Sequence, residues 1–164
     1  MFDLMLDEDH VELEEVPEWI ERVSRLTAGV ANGPRDPQRR RQLTNALFLQ
    51  DVGPELATEA SRAGLSQPAF RTWLLTQSDE DINRMPALGI YREVFREKLL
   101  NPTTRWSPND LLDMIYLSCA AGYVDEVVGE RHQVAGIKNA MRRLGRSRVG
   151  VHRRLEGLVD ALSL

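Results

Sequence analysis

Apolar positions along this chain recur mostly at helical spacing, and caps, prolines and glycines divide them into segments. After Val16-Pro17, residues Ile20, Val23 and Leu26 mark a helix that ends near Gly29 and Gly33. Asp36-Pro37 reads as an N-cap and first-turn proline for a helix carrying Leu43, Ala46, Leu47 and Gln50. Gly53-Pro54 is expected to break that helix and to start another, Glu55 to Ala63, which Gly64 stops. Ser66 caps a segment bearing Phe70, Trp73 and Leu74. Ser78 with Asp81 has capping-box spacing for a short helix through Ile82 and Met85. Pro86 opens a longer helix with Leu88, Tyr91, Val94, Phe95 and Leu99 inward, closed by Asn101-Pro102, and Ser107-Pro108 starts one over Asn109 to Ala121.

After Gly122 the pattern changes. Asp125 to Gly129 reads as a strand, followed by a helix with Val134, Ile137, Met141 and Leu144 that Gly145 stops. Arg148, Val149 and Val151 form a second short strand, Leu155 to Leu162 a closing helix, and Phe2 to Leu6 a third strand. A strand, a crossover helix and a strand imply parallel pairing. The expected class is therefore α/β, a small parallel sheet flanked by many helices, in one domain over 1–164. Two or three short strands leave an open edge, a template for pairing. A homodimer or a strand from a partner is the expected way of covering it.

Composition narrows the class. The 164 residues are 42% hydrophobic and 28% charged, enough for one globular core. A single cysteine, Cys119, excludes an internal disulfide and a Cys-rich zinc site, and its apolar helix predicts a buried thiol. No segment has the pattern of a signal peptide, and no apolar run approaches the ~20 residues of a membrane helix. The expectation is a cytoplasmic protein without membrane contact. The net charge of −4 is unevenly spread. Residues 1–21 hold Asp3, Asp7, Glu8, Asp9, Glu12, Glu14, Glu15, Glu18 and Glu21 with no Lys or Arg, whereas residues 131–164 hold Arg131, Lys138, Arg142, Arg143, Arg146, Arg148, Arg153 and Arg154 against Glu156 and Asp160. The basic stretch suits a phosphate backbone or a solvated helix face.

Three acids stand out. Asp110 and Asp113, three apart, share one helical face, where a bound cation would relieve their repulsion. Ser107-x-x-Asp110 is also a capping box, so Asp110 has a local role available. Glu130 sits at the carboxyl end of the Asp125 to Gly129 strand, where ligands of open α/β sheets collect, and hard divalent cations take such oxygen ligands. Glu130 could equally pair with Arg131. Asp125, at the other end of the strand, reads as a turn residue.

Asn109-Asp110-Leu-Leu-Asp113, an Ala-rich continuation and Val127-Val128-Gly129-Glu130-Arg131 resemble the C-terminal part of a PIN-like ribonuclease domain. Trp106, the Asn-Asp pair and Met85-Pro86-Ala87-Leu88 are similar to a bacterial branch of these proteins. The resemblance is good over 85–164 and weak over the helical 1–84. It implies a metal-dependent ribonuclease in which Asp110, Asp113 and Glu130 hold Mg²⁺ or Mn²⁺, with Asp113 foremost. His10-Val-Glu12-Leu is similar to the segment carrying the family's second acid, which adds Glu12 as a ligand. Arg131, Arg142 and Arg143 would then position the RNA substrate. The family's first strand and its aspartate have no place upstream of that match; the alternative assigns them to Phe2–Leu6 and Asp7. A PIN-like remnant without activity, serving interaction or regulation, is the second reading.

A third reading takes Leu56 to Trp73 as a helix-turn-helix for DNA, with Gln67 and Arg71 on the recognition helix and Pro68 in its first turn. His10, His132 and His152 lack metal-ligand spacing, and Trp73 and Trp106 read as core or rim aromatics.

Overall fold

A computed structural model describes residues 15–146 and 149–162. In chain order the helices α1 (Glu15–Ala31), α2 (Pro37–Arg62), α3 (Gln67–Thr76), α4 (Ser78–Arg84), α5 (Pro86–Leu100) and α6 (Pro108–Tyr123) precede strand β1 (Glu126–Val128). Helix α7 (Arg131–Arg143), strand β2 (Gly150–His152) and helix α8 (Leu155–Leu162) follow. The two strands pair in parallel with Val127 opposite Val151, and α7 is the crossover. Among the described residues the sheet has no third strand, so each strand keeps an unpaired edge; Phe2–Leu6 lie outside the described residues. No described helix is long and apolar enough to cross a membrane.

Helix α5 is the hub. Residues 89–95 are buried all round, because α1, α2, α4, α6 and α7 pack against different faces of it. An aromatic row runs through the core: Trp19 meets Trp106 edge-on at 5.4 Å, Trp106 meets Phe95, Phe95 stacks on Tyr91, and Tyr91 tilts against Phe48. Each indole finds an acceptor, Trp106 on Thr27 at 2.9 Å, Trp73 on Asp81 at 2.8 Å and Trp19 on Asp51 at 3.4 Å. Burial beside Asp51 pushes the Tyr91 phenol well above its ordinary range. Gly122 lets α6 close on the start of α5. A Cβ there would lie 2.8 Å from the Ala87 backbone nitrogen.

The buried face of α5 is partly ionic. Arg92, 3% exposed, donates to the Asp79 carboxylate at 2.8 Å, to the Asp79 carbonyl at 3.3 Å and to Asn83, tying α4 to α5. Glu93, equally buried, faces Arg96 at 3.5 Å and Arg143 of α7 at 4.0 Å. Burial lowers the affinity of both Arg92 and Arg96 for their protons, but an arginine stays charged.

Several punctuation marks act as expected. The Asp36 carboxylate accepts from the Arg39 N–H at 2.8 Å, and Gly64 and Gly145 take positive φ at the ends of α2 and α7. Others do not. Helix α2 runs on through Gly53-Pro54, and its inward residues in the turns before the proline, Phe48 and Val52 among them, are held by the core. The proline's missing donor falls on an exposed turn, where water can satisfy the freed carbonyl. Ser78 makes no capping box. Its hydroxyl donates back to the Leu74 carbonyl at 2.7 Å, and Asp81 is occupied by Trp73. Cys119 is exposed rather than buried, because the inward stripe of α6 follows Asp110, Met114, Ser118 and Ala121 instead.

Candidate functional site

Two clefts flank α7, and the sequence-selected residues divide between them. The first, about 540 Å³, lies between α5, α6 and α7. Its floor is apolar, with Val94, Met114, Leu117 and Ile137, and Asp110, Asp113, Lys98, Arg105, His132 and Gln133 stand round it. Asp110 is already satisfied there. One oxygen accepts from Lys98 at 2.5 Å, and the other accepts from the Ser107 N–H at 2.7 Å and hydroxyl at 3.1 Å, completing the capping box. Burial works to raise this carboxyl, but the hydrogen bonds from Lys98 and Ser107 outweigh it and hold it below the usual carboxylate range. The Lys98 ammonium also sits over the Trp106 ring, 5.1 Å from its centre.

Asp113 accepts a hydrogen bond from Gln133 in the first turn of α7. Glu130 is the residue before α7; its side chain is 76% exposed, lies 3.6 Å from His132 rather than on Arg131, and lines neither cleft. Among the described residues no three His, Cys, Asp or Glu side chains lie together as a metal site would require. Glu12 lies outside the described residues. The side chains present therefore do not by themselves fit Mg²⁺ or Mn²⁺, each of which needs several oxygens round one point.

The second cleft, about 790 Å³, opens at the carboxyl end of β2 between α7 and α8. Arg131 and Lys138, seven apart on α7, share one face of that helix. His152 ends β2, Arg153 and Arg154 form the turn after it, and Glu156 is the one acid in the lining. Arg131, Lys138, Arg153 and Arg154 enter no ion pair among the described residues. His152 is held by Glu126 on the neighbouring strand, Nε2 to Oε2 at 2.5 Å. Gly157, in the first turn of α8, lets that helix come down on the His152 ring, since a Cβ would lie 3.0 Å from Nδ1.

Of the three arginines assigned to nucleic acid from sequence, the structure brings Arg131 to this cleft and leaves the other two out. Arg142 is exposed on the same face of α7 beyond Lys138 but does not line the cleft, and Arg143 is committed to Glu97 at 3.0 Å. Lys138, Arg153 and Arg154 were not singled out. Their signal was the seven-residue spacing on α7 and the Arg-Arg pair directly after a strand. Away from both clefts, Ala63–Ser66 does join α2 to α3 as a helix-turn-helix would, but the exposed part of α3 offers one cation, Arg71, for a phosphate.

Comparison of the chain with family models, with curated proteins and with solved structures gives no match. What the fold defines is a helix-dominated α/β unit with a two-stranded parallel sheet. Any narrower class rests on the clefts themselves.

Proposed function

We propose that this chain is a PIN-like nucleic-acid-binding unit that holds single-stranded RNA by its phosphates at the carboxyl end of the sheet. One observation carries the reading: Arg131, Lys138, Arg153 and Arg154 converge on one cleft without ion-pair partners there. Cations left uncompensated are free to displace counterions from a phosphate backbone, the sequence-independent part of nucleic-acid affinity. The resemblance of residues 85–164 to PIN-like ribonucleases supports RNA as the strand. Fluorescence anisotropy with a labelled oligoribonucleotide tests it. Four neutralised phosphates give a slope of log K against log salt of about −3, each single Ala substitution in the cleft removing about 0.7 of it. Absence of binding even at about 50 mM salt would overturn the proposal.

Hydrolysis is a second reading, favoured by the placement of Asp113 against the first turn of α7, close to where Glu130 precedes that helix. It needs more oxygen ligands than the described residues bring together, from Glu12 or from a partner that completes the open sheet. Mn²⁺-dependent cleavage of the same RNA, lost in Asp113→Ala, would establish it. An intact substrate after prolonged incubation with Mn²⁺ leaves a binding protein.

A further inference from the structure

We infer that the basic cleft takes a terminal phosphate monoester of the nucleic-acid strand in preference to the internal phosphodiesters; this rests on the proposed binding of RNA at that cleft. The argument is one of charge distribution. An internal backbone carries one negative charge per nucleotide, so a protein that follows it needs cations laid out along a track. Along α7 the exposed cations Arg131, Lys138 and Arg142 follow one face, but Arg153 and Arg154 come in from the turn after β2 and concentrate charge at one end of that line. Arg143 is consumed by Glu97 and Glu93. Arg146 donates to the carbonyls of Asn83 at 2.5 Å and Met85 at 3.0 Å, and also to that of Pro86, as a clamp between α7 and the start of α5. Four of the cations without an ion pair among the described residues, Arg131, Lys138, Arg153 and Arg154, gather round a single cleft, with Glu156 as its one acid. A monoester, carrying about −1.5 to −2 charges and three acceptor oxygens near neutral pH, matches that concentration better than a diester with one charge.

The backbone agrees with the side chains. The cleft lies at the carboxyl end of a parallel strand, and both Arg131 at the start of α7 and the first turn of α8 border it. Arginine forks and unpaired helix N–H groups are both suited to a dianion with several acceptor oxygens. His152 does not compete for the ligand, because Glu126 holds its Nε2 and α8 covers its Nδ1 side at Gly157. At about 790 Å³ the cleft has room for a terminal nucleotide beside its phosphate.

The test uses the full chain and one oligoribonucleotide sequence, labelled internally, in three forms: 5′-phosphate, 3′-phosphate, and hydroxyl at both ends. The expected result is binding of a phosphorylated form about tenfold or more tighter than the hydroxyl form, as one added charge-assisted hydrogen-bond pair supplies. Which end gains identifies the terminus recognised. The gain should vanish in the double variant Arg153→Ala/Arg154→Ala and persist in part with Lys at both positions. Both side chains are exposed, and an unchanged circular dichroism spectrum shows that the variants fold. Equal affinity for all three forms overturns this inference and leaves backbone binding standing. If no form binds, the proposed function falls and the inference with it.

Discussion

The cleft between α5, α6 and α7 and the cleft between α7 and α8 are both lined by charge, and they differ in what that charge already does. In the first, Asp110 is shared by Lys98 and Ser107, Asp113 is held by Gln133 and Glu97 meets Arg143, so Arg105 is its one cation without an ion pair among the described residues. In the second, four cations face one acid. Charge that is paired inside a fold contributes order, whereas charge left facing solvent without a partner is available to a ligand. Conspicuous acids near a helix start can therefore be structural, while plain arginines in a turn are left available to a ligand.

Substitutions can break that contrast, and the largest effect is expected far from either cleft. Arg92→Ala strips a buried cation from Asp79 and Asn83 and should destabilise the fold by about 3–5 kcal/mol in urea unfolding, without changing RNA affinity beyond the loss of folded protein. Next is the opposite case. Arg153→Ala/Arg154→Ala should leave the unfolding midpoint within about 0.5 kcal/mol of the parent while weakening RNA binding about tenfold. Gly122→Ala drives a methyl into the backbone of α5 and should cost about 1–3 kcal/mol.

Asp110→Asn, expected to cost about 1 kcal/mol through the cap, sharpens the contrast by its pH dependence. The folded carboxyl lies below its unfolded value, so its stabilisation is complete above about pH 4–5 and is lost as the pH falls through the folded value. The parent should lose stability on acidification more steeply than the Asn variant, as measured by unfolding midpoints. Smallest is Glu130→Ala. Its carboxylate is exposed and meets only His132, so stability should move by about 0.5 kcal/mol or less.

Local chemistry was the legible part of this fold. Asp36, Ser66, Ser107, Gly64 and Gly145 act through their own turn, and they place helix boundaries without help from the rest of the chain. What depends on distant packing was not legible. Nothing in the neighbours of Arg92 and Glu93 announces that five helices enclose them, so a central helix reads as merely amphipathic. Pro54 looked like a break because sequence alone does not show that its missing donor falls on an exposed turn of α2. At the site, the Ser107–Asp110 box was readable from four residues, but the partners Lys98 and Gln133 approach from α5 and α7. The basic cleft was half legible. The excess of arginine is plain in sequence, but which of these arginines remain unpaired is decided by Glu97, Glu93 and three backbone carbonyls.

Pro54 gives α2 one further property. With no amide hydrogen at that position, the helix has a missing rung, and the half before it is anchored on α1 through Asp51 and on α5 through Phe48. Amide protons on either side should exchange with deuterated water as separate groups, the half against α5 the slower. The rod that looks continuous is, on the timescale of exchange, two segments sharing an axis.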